Sequence, residues 1–433
     1  TLCLLGLLSI VSVFLLTTHV FGNRIDWYSQ HVVIGDALRH AIRSEGTLFP
    51  TYIKELMSGG NIYHFSYYGY LRPNILIGAL LIHIDMQTII IAYSVLMMTL
   101  SVLCCYIFLR QHTKDENICI FVSLLVLLSS IFFHSHKQIM FVNYMPFLFL
   151  ALISIEKKNF VAFTLCGSLI VLHSYFYCIG CFIVCFIYLL YRHPGEWKKL
   201  FVSYILIVLL TAILTIPTLL VILSNGKSGA PTQLASLFIP SLNLKGLLYS
   251  EYGCELTYIS YVLLVLALSD KQLQKLSAVC LVSFYSPFVW FIMNGFLYAR
   301  SKIMLVFIPL VAYIMCMMLV KIKEGNIKLS KYSLVLLIIP VFFIKYPLSA
   351  LIDCLFVILL LLQKRKNLIY AYLVIPMLVV SYTNCPSSFY QPKKYEKNVS
   401  QLVRRNKIVT AADLTTRQNA NQTYGNRINR VSG

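Results

Sequence analysis

Four residues beyond a long apolar run stands an aspartate, Asp26, and the stretch it opens carries most of the groups able to do chemistry. It reads Asp26-Trp27-Tyr28-Ser29-Gln30-His31, Gly35-Asp36-Ala37-Leu38-Arg39, Gly46-Thr47-Leu48-Phe49-Pro50, Gly59-Gly60-Asn61 and Tyr67-Tyr68-Gly69-Tyr70-Leu71-Arg72-Pro73. A carboxylate at a membrane surface can take a proton from a hydroxyl or hold a divalent cation. Asp26 can also cap the short helix suggested by residues Trp27 to Arg43, a role compatible with catalysis. Gln30 and His31, one turn along, can bind sugar hydroxyls or tune Asp26, or simply form a polar helix face. Asp36, ten residues after Asp26, falls about 80° round an ideal helix and can assist, though a solvated face is the simpler reading.

Other groups supply different parts of the same chemistry. Arg300 and Lys302 can clamp a phosphate or snorkel to headgroups. His136 and Lys137, with His134, can meet a phosphate; their spacing is poor for a metal, and headgroup contact is the default. Glu251 and Glu255 offer a second acid; with Asp26, either makes an oxygen pair for Mg or Mn, if a divalent cation is used. Tyr67 and Tyr68 can stack on sugar rings or belong to an interfacial aromatic belt. Gly59-Gly60-Asn61 predicts a tight turn that returns the chain from Asp26 toward Tyr67 to Pro73.

These groups must be positioned by membrane helices. Of 433 residues, 59% are hydrophobic and only 12% charged, and the mean hydropathy is +0.77. A soluble domain would carry about a quarter charged residues and amphipathic patterning. The expected fold is therefore an all-α polytopic membrane protein with a large first exterior loop, and a β-barrel is excluded. Spans are expected near 1–22, 87–109, 118–134, 139–155, 159–173, 178–191, 201–223, 256–269, 276–293, 303–320, 332–344, 347–362 and 368–383, about thirteen transmembrane helices. The 72–84 stretch is too short to cross and is expected to be re-entrant or interfacial.

Lys and Arg in the connecting loops set the orientation. With a cytoplasmic amino terminus, the inside loops hold sixteen and the longer outside loops eleven, placing the polar stretch outside. The organisation is then a multi-span domain over 1–383, with a first exterior loop at 23–72 and a second at 224–255. Residues 384–433 form a basic exterior tail, expected to begin a truncated exterior domain. The chain starts at Thr1, so both ends are expected to be incomplete.

The net charge of +20 is mostly topological Lys and Arg; anionic membrane lipids, and no nucleic acid, are the expected partners. The thirteen cysteines lie mostly in apolar spans, where they pack as small residues rather than forming disulfides or a zinc site. No Walker loop, dinucleotide glycine fingerprint or HExxH motif occurs. Asp353 is the one acidic residue well inside a span, and sparse intramembrane charge demotes a proton-coupled transporter.

A many-helix protein with its polar groups on the outer face fits a lipid-linked sugar transferase. Glycosyl transfer passes through an oxocarbenium-like state; it needs a carboxylate for the acceptor proton and cations for the departing phosphate.

The ordered pattern Asp26-x3-Gln30-His31, Leu38-Arg39, Gly46-x3-Pro50, Gly59-Gly60-Asn61, Tyr67-Tyr68-Gly69-x3-Pro73 resembles the first exterior loop of bacterial YfhO-like membrane proteins. Phe141-Val142-Asn143-Tyr144-Met145-Pro146 with Ile155-Glu156-Lys157, Ser174-Tyr175-Phe176-Tyr177, and Asn294-Gly295-Phe296-x3-Arg300 extend the resemblance along nearly the whole chain. It implies the C-type glycosyltransferase superfamily, with Asp26 as the catalytic carboxylate. It also implies transfer of a hexose or N-acetylhexosamine from a polyprenyl-phosphate donor to an envelope polymer such as lipoteichoic acid, in a bacterial plasma membrane. Departures lie at Tyr52 to Ser58 and in the missing long C-terminal exterior region, and they bear on the acceptor more than on the fold. The competing readings are a lipid-linked saccharide flippase and a non-catalytic envelope assembly protein. The first would place its essential charges inside the bundle; the second would need no acid at Asp26.

Overall fold

The computed structural model describes residues 31–53, 60–63, 71–128, 143–225, 234–241, 247–249, 257–326, 341, 347–362, 410–411 and 429–430. Within them the chain is a helical bundle. An amphipathic helix α1 (Val33–Glu45) lies across one end and buries Ile34, Ala37, Leu38, Ala41 and Ile42, the spacing of one helix face. It ends at Gly46, whose φ of +65° makes a left-handed stop that a side chain would resist. The chain then runs out along Tyr52–Ile53 and returns antiparallel along Gly60–Asn61. Gly60 and Asn61 thus stand in the return strand, while Gly59 and the expected approach of Asp26 to Tyr67 lie outside the described residues.

Helix α2 (Pro73–Leu80) begins at a proline, which suits the first turn because its missing N–H has no helical partner there. At eight residues it is about 12 Å long, far too short to cross. The bundle proper comprises α3 (Met86–Arg110), α4 (Glu116–Leu128), α5 (Met145–Glu156), α6 (Phe160–His173), α7 (Tyr175–Arg192), α8 (Trp197–Leu210), α9 (Ala212–Asn225), α10 (Tyr258–Ala267), α11 (Gln274–Tyr285), α12 (Pro287–Met293), α13 (Ile308–Lys323) and α14 (Pro347–Leu362). Asp85, Asn159, Ser174 and Ser286 cap α3, α6, α7 and α12 by accepting from backbone N–H groups of the first turn.

Among the described residues, three helices are long and apolar enough to cross a membrane: Met86–Arg110, Tyr175–Arg192 and Ser301–Lys323, the last being a 3-10 turn, Ser301–Phe307, that runs into α13. Two further expected spans, 201–223 and 276–293, are broken, with bends of 79° between α8 and α9 and 91° between α11 and α12. The second break follows from Pro287, which forces Ser286 out of the helical region to φ −101°, ψ 105°. Near the first, the hydroxyls of Thr211 and Thr215 bond back to the Ile207 and Thr211 carbonyls, and Pro217 can donate no backbone bond. Shorter apolar helices stand at four more expected spans: Glu116–Val126, Met145–Glu156, Phe160–His173 and Tyr258–Ala267. The expected spans at 1–22 and 368–383, and that at 332–344 apart from Val341, lie outside the described residues.

The loops rich in Lys and Arg meet at one end of the bundle. There Arg192 holds Glu156 in a two-pronged ion pair at 2.5 and 3.1 Å, and Tyr188 bridges Glu156 and His112 at 2.9 and 3.1 Å. Lys321 pairs with Asp270, and Lys323 with Asp115. Partial burial works against ionisation of both acids, but these lysines and neighbouring backbone N–H groups hold Asp115 and Asp270 below the usual carboxylate range. The net tethers helices far apart in sequence and leaves the opposite end for α1 and α2. The described cysteines are free, and Cys178, Cys181 and Cys185 are buried in α7 as packing residues.

Candidate active site

The end of the bundle that carries α1 and α2 gathers residues from six separate segments. His31, just before α1, is buried, and so is Arg72, the residue that precedes Pro73 at the start of α2. Burial first, and then the nearby Arg72 charge, push His31 down to about 3, so its imidazole is neutral. Burial also lowers Arg72, to about 10, with partial compensation from Tyr93; it keeps its charge at neutral pH. Tyr93, on α3, donates to Nε2 of His173 at 2.6 Å, and His173 lies 4.7 Å, ring to ring, from Phe147 on α5.

The same wall continues to the second half of the chain. Tyr144, at the start of α5, stacks on Tyr177 of α7 at 5.0 Å, and Phe176 stacks on Tyr298 at 6.0 Å. The Arg300 guanidinium lies 5.2 Å from the Tyr298 ring centre, and Lys302 Nζ 4.5 Å from that of Phe176. Asn294 fixes this turn by donating to the carbonyl oxygens of Trp290 at 2.7 Å and Arg300 at 3.1 Å. Gly180 lets α7 approach closely: a Cβ there would lie 3.2 Å from Val306 and 3.3 Å from Ile303. Three stretches separated in sequence, around Asn143-Tyr144, Ser174 to Tyr177, and Asn294 to Arg300, thus meet at one end.

This end carries unmet polar capacity. Among the described residues, Nδ1 of His31, Nε of Arg72 and both side-chain polar atoms of Asn74 and Asn143 are buried without a hydrogen-bond partner. Leaving such a group unsatisfied costs about 1–3 kcal/mol. A cation, a neutral imidazole and two amides, walled by aromatic rings, suit an anionic group that bears further oxygens.

Asp36 has a different setting. Its carboxylate accepts from Nε of Arg39 at 2.6 Å and lies 3.8 Å from His40, while Arg39 Nη1 donates to the Ile84 carbonyl at 2.6 Å. The pair ties α1 to the segment before α3, and Gly78 leaves room for the arginine, whose Cδ would lie 3.3 Å from a Cβ there. Of the other expected site residues, Arg300 and Lys302 join the aromatic wall and His31 joins Arg72. Asp26, Gln30, Tyr67, Tyr68, His136, Lys137, Glu251 and Glu255 lie outside the described residues.

Arg72, Asn74, Tyr93 and His173 are the additions that sequence reasoning passed over. Arg72 counted there as a loop charge, although its place directly before a proline and an apolar helix was a signal. His173 and Tyr93 read as ordinary span residues. The described residues contain no group of three His, Cys, Asp or Glu able to hold a metal ion. The expected cation ligands Asp26, Glu251 and Glu255 lie outside those residues.

No protein-family model and no curated protein matches the sequence. Among solved structures, the chain is similar to ArnT from Cupriavidus metallidurans in the apo state, at TM-score 0.58 and 11% identity over 99% of this chain and 84% of that one. It is also similar to ArnT from the same organism bound to undecaprenyl phosphate, at TM-score 0.52 and 11% identity over 98% and 84%. The protein described here shares its fold with ArnT and is a multi-pass membrane protein.

Proposed function

We propose that this protein is a membrane glycosyltransferase that moves a sugar from a polyprenyl-phosphate donor to a cell-envelope polymer such as lipoteichoic acid, on the outer face of a bacterial plasma membrane. The observation that carries the reading is the buried Arg72, with Nε unpartnered beside neutral His31. It stands in a fold whose neighbour ArnT has been crystallised with undecaprenyl phosphate.

In the proposed reaction Asp26 takes the proton of the acceptor hydroxyl. The acceptor oxygen bonds to the anomeric carbon as the bond from that carbon to the phosphate oxygen breaks, and the electron pair stays on the phosphate. Arg72 meets the charge developing on that oxygen, where a buried cation is worth more than in water. His31, neutral and unprotonated at one nitrogen, and Asn74 serve the sugar hydroxyls or the remaining phosphate oxygens. Arg300 and Lys302 supply positive charge at the rim, and Tyr67 and Tyr68 a stacking surface for the sugar.

Binding of a polyprenyl phosphate to the purified protein, measured by native mass spectrometry, tests this assignment. The wild type should retain the lipid, and Arg72→Leu at equal folding should lose it by about tenfold or more. Equal retention by both proteins would remove Arg72 from the site.

A further inference from the structure

At the end of the bundle where the loops rich in Lys and Arg meet, two short connections lie side by side. The first turns α5 into α6 at Lys157 and Lys158, and Lys158 takes a φ of +54°, a left-handed conformation uncommon for a long side chain. The second is the 3-10 turn Pro194–Glu196, which runs directly into α8 at Trp197, Lys198 and Lys199. Glu196 joins the two: one carboxylate oxygen lies 3.7 Å from Lys158 Nζ and the other 2.9 Å from Lys199 Nζ. Deeper in the bundle the Ser203 hydroxyl donates to the Phe160 carbonyl at 3.4 Å, and Gly167 leaves room for Ile207. Helices α6 and α8 therefore start at this corner and descend from it as a packed, parallel pair.

The corner is cationic above and apolar below. Four exposed lysines, Lys157, Lys158, Lys198 and Lys199, stand against the single acid Glu196, which leaves three positive charges in excess. Arg192 nearby adds nothing to that excess, because it is committed to Glu156. Lys158 and Lys199 are steered by Glu196 yet keep further N–H donors, since each ammonium carries three. Directly beneath, the outward faces are hydrocarbon: Val161 and Leu165 of α6 are 75% and 58% exposed, and Phe201 and Val202 of α8 59% and 54%. Trp197 stands half exposed at the boundary, with Lys198 Nζ 5.8 Å from its ring centre, and an amphipathic ring of this kind belongs at headgroup level.

We propose that this corner seats the headgroup of an anionic phospholipid, with the four lysines on its phosphate and its acyl chains along the exposed faces of α6 and α8. The excess of Lys and Arg over the whole chain predicts attraction to anionic lipid at large. Here the attraction acquires one place, because a single carboxylate arranges two of the cations over a hydrocarbon surface. Nothing in it rests on the glycosyltransferase reading, since these residues lie at the opposite end of the bundle from Arg72.

The test is native mass spectrometry of the purified full-length protein with dioleoyl phosphatidylglycerol or dioleoyl phosphatidylcholine, with thermal unfolding in detergent as the control for folding. Wild type should retain phosphatidylglycerol in preference to phosphatidylcholine. The double variant Lys157→Ala, Lys198→Ala spares both Glu196 ion pairs; it should bind phosphatidylglycerol about thirtyfold more weakly at an unchanged unfolding temperature, the loss expected for two lysines at a membrane surface. Lys157→Arg with Lys198→Arg should bind like the wild type. Excess inorganic phosphate, which has no chains, should leave the lipid in place. Equal retention of the two lipids by the wild type would overturn the proposal, as would undiminished phosphatidylglycerol binding in the alanine variant. Displacement by inorganic phosphate would overturn it too, by marking a bare anion site.

Discussion

The Tyr93 hydroxyl donates a 2.6 Å hydrogen bond to Nε2 of His173, whose Nδ1–H is spent on the Leu169 carbonyl at 2.7 Å. Both ring nitrogens are committed, which fixes one neutral tautomer beside Arg72. Tyr93→Phe leaves a buried lone pair unpartnered and should destabilise the protein by about 1–2 kcal/mol. Because the change loosens the wall behind Arg72 without removing the cation, KM for the lipid donor should rise more than kcat falls. Thermal unfolding and initial rates at varied donor concentration check both parts.

Removing Arg72 should affect the chemistry more severely. Arg72→Leu is expected to lower kcat/KM by about 10²–10³-fold, the loss typical of one preorganised group that stabilises developing negative charge. Arg72→Lys should recover little of it, since lysine lacks the guanidinium fork and places its charge elsewhere. Rates measured at equal amounts of folded protein would decide this, and full activity in Arg72→Lys would mean that only a diffuse positive charge is needed.

Acid should loosen the His31 site. In the unfolded chain His31 titrates near 6.5, and in the folded protein near 3. Between those values the unfolded chain binds a proton that the folded chain does not, so this contribution is intact above about pH 6.5 and is lost as pH falls toward 3. Inside that window the slope should reach about 1.4 kcal/mol per pH unit. His112, half-buried at the opposite end and lowered to about 4, acts in the same direction. His31→Gln should therefore flatten part of the pH dependence of thermal unfolding, and an unaltered profile would place a charged imidazole at His31.

Asp36 is predicted to hold α1 rather than to react. Arg39 is nearly fully buried, and Asp36→Asn strips its counter-charge, at a cost of about 3 kcal/mol, the lower end for broken buried pairs because Asp36 is partly exposed. The unfolding temperature should drop while kcat per folded molecule stays near wild type. A normal unfolding temperature with a large fall in kcat would return Asp36 to the chemistry.

The fold was legible where composition and charge patterning speak strongly. Apolar runs located α3, α7 and the Ser301–Lys323 helix, and the Lys and Arg clusters anticipated the loops that meet at one end. Local backbone chemistry was harder to weigh: Pro287 and the threonines at 211 and 215 bend two runs that are apolar enough to read as straight spans. The site was legible in part. His31, Arg300 and Lys302 stood out as polar residues at helix ends, and their partners did not, because each partner lies in another segment. Tyr93 is one polar atom in an apolar helix until His173, eighty residues later, accepts from it. Asp353 read as an isolated acid inside a span because its partner, Tyr249, lies more than a hundred residues away.

The central claim is transfer of a sugar by a site built on Asp26. The most direct measurement is the sugar content of lipoteichoic acid and other envelope polymers in a host lacking this protein, complemented with full-length wild type or with Asp26→Asn at equal membrane levels. The account predicts that wild type restores the sugar and Asp26→Asn does not. Equal restoration by both would contradict the assigned mechanism, and no sugar change under either condition would contradict glycosyl transfer itself.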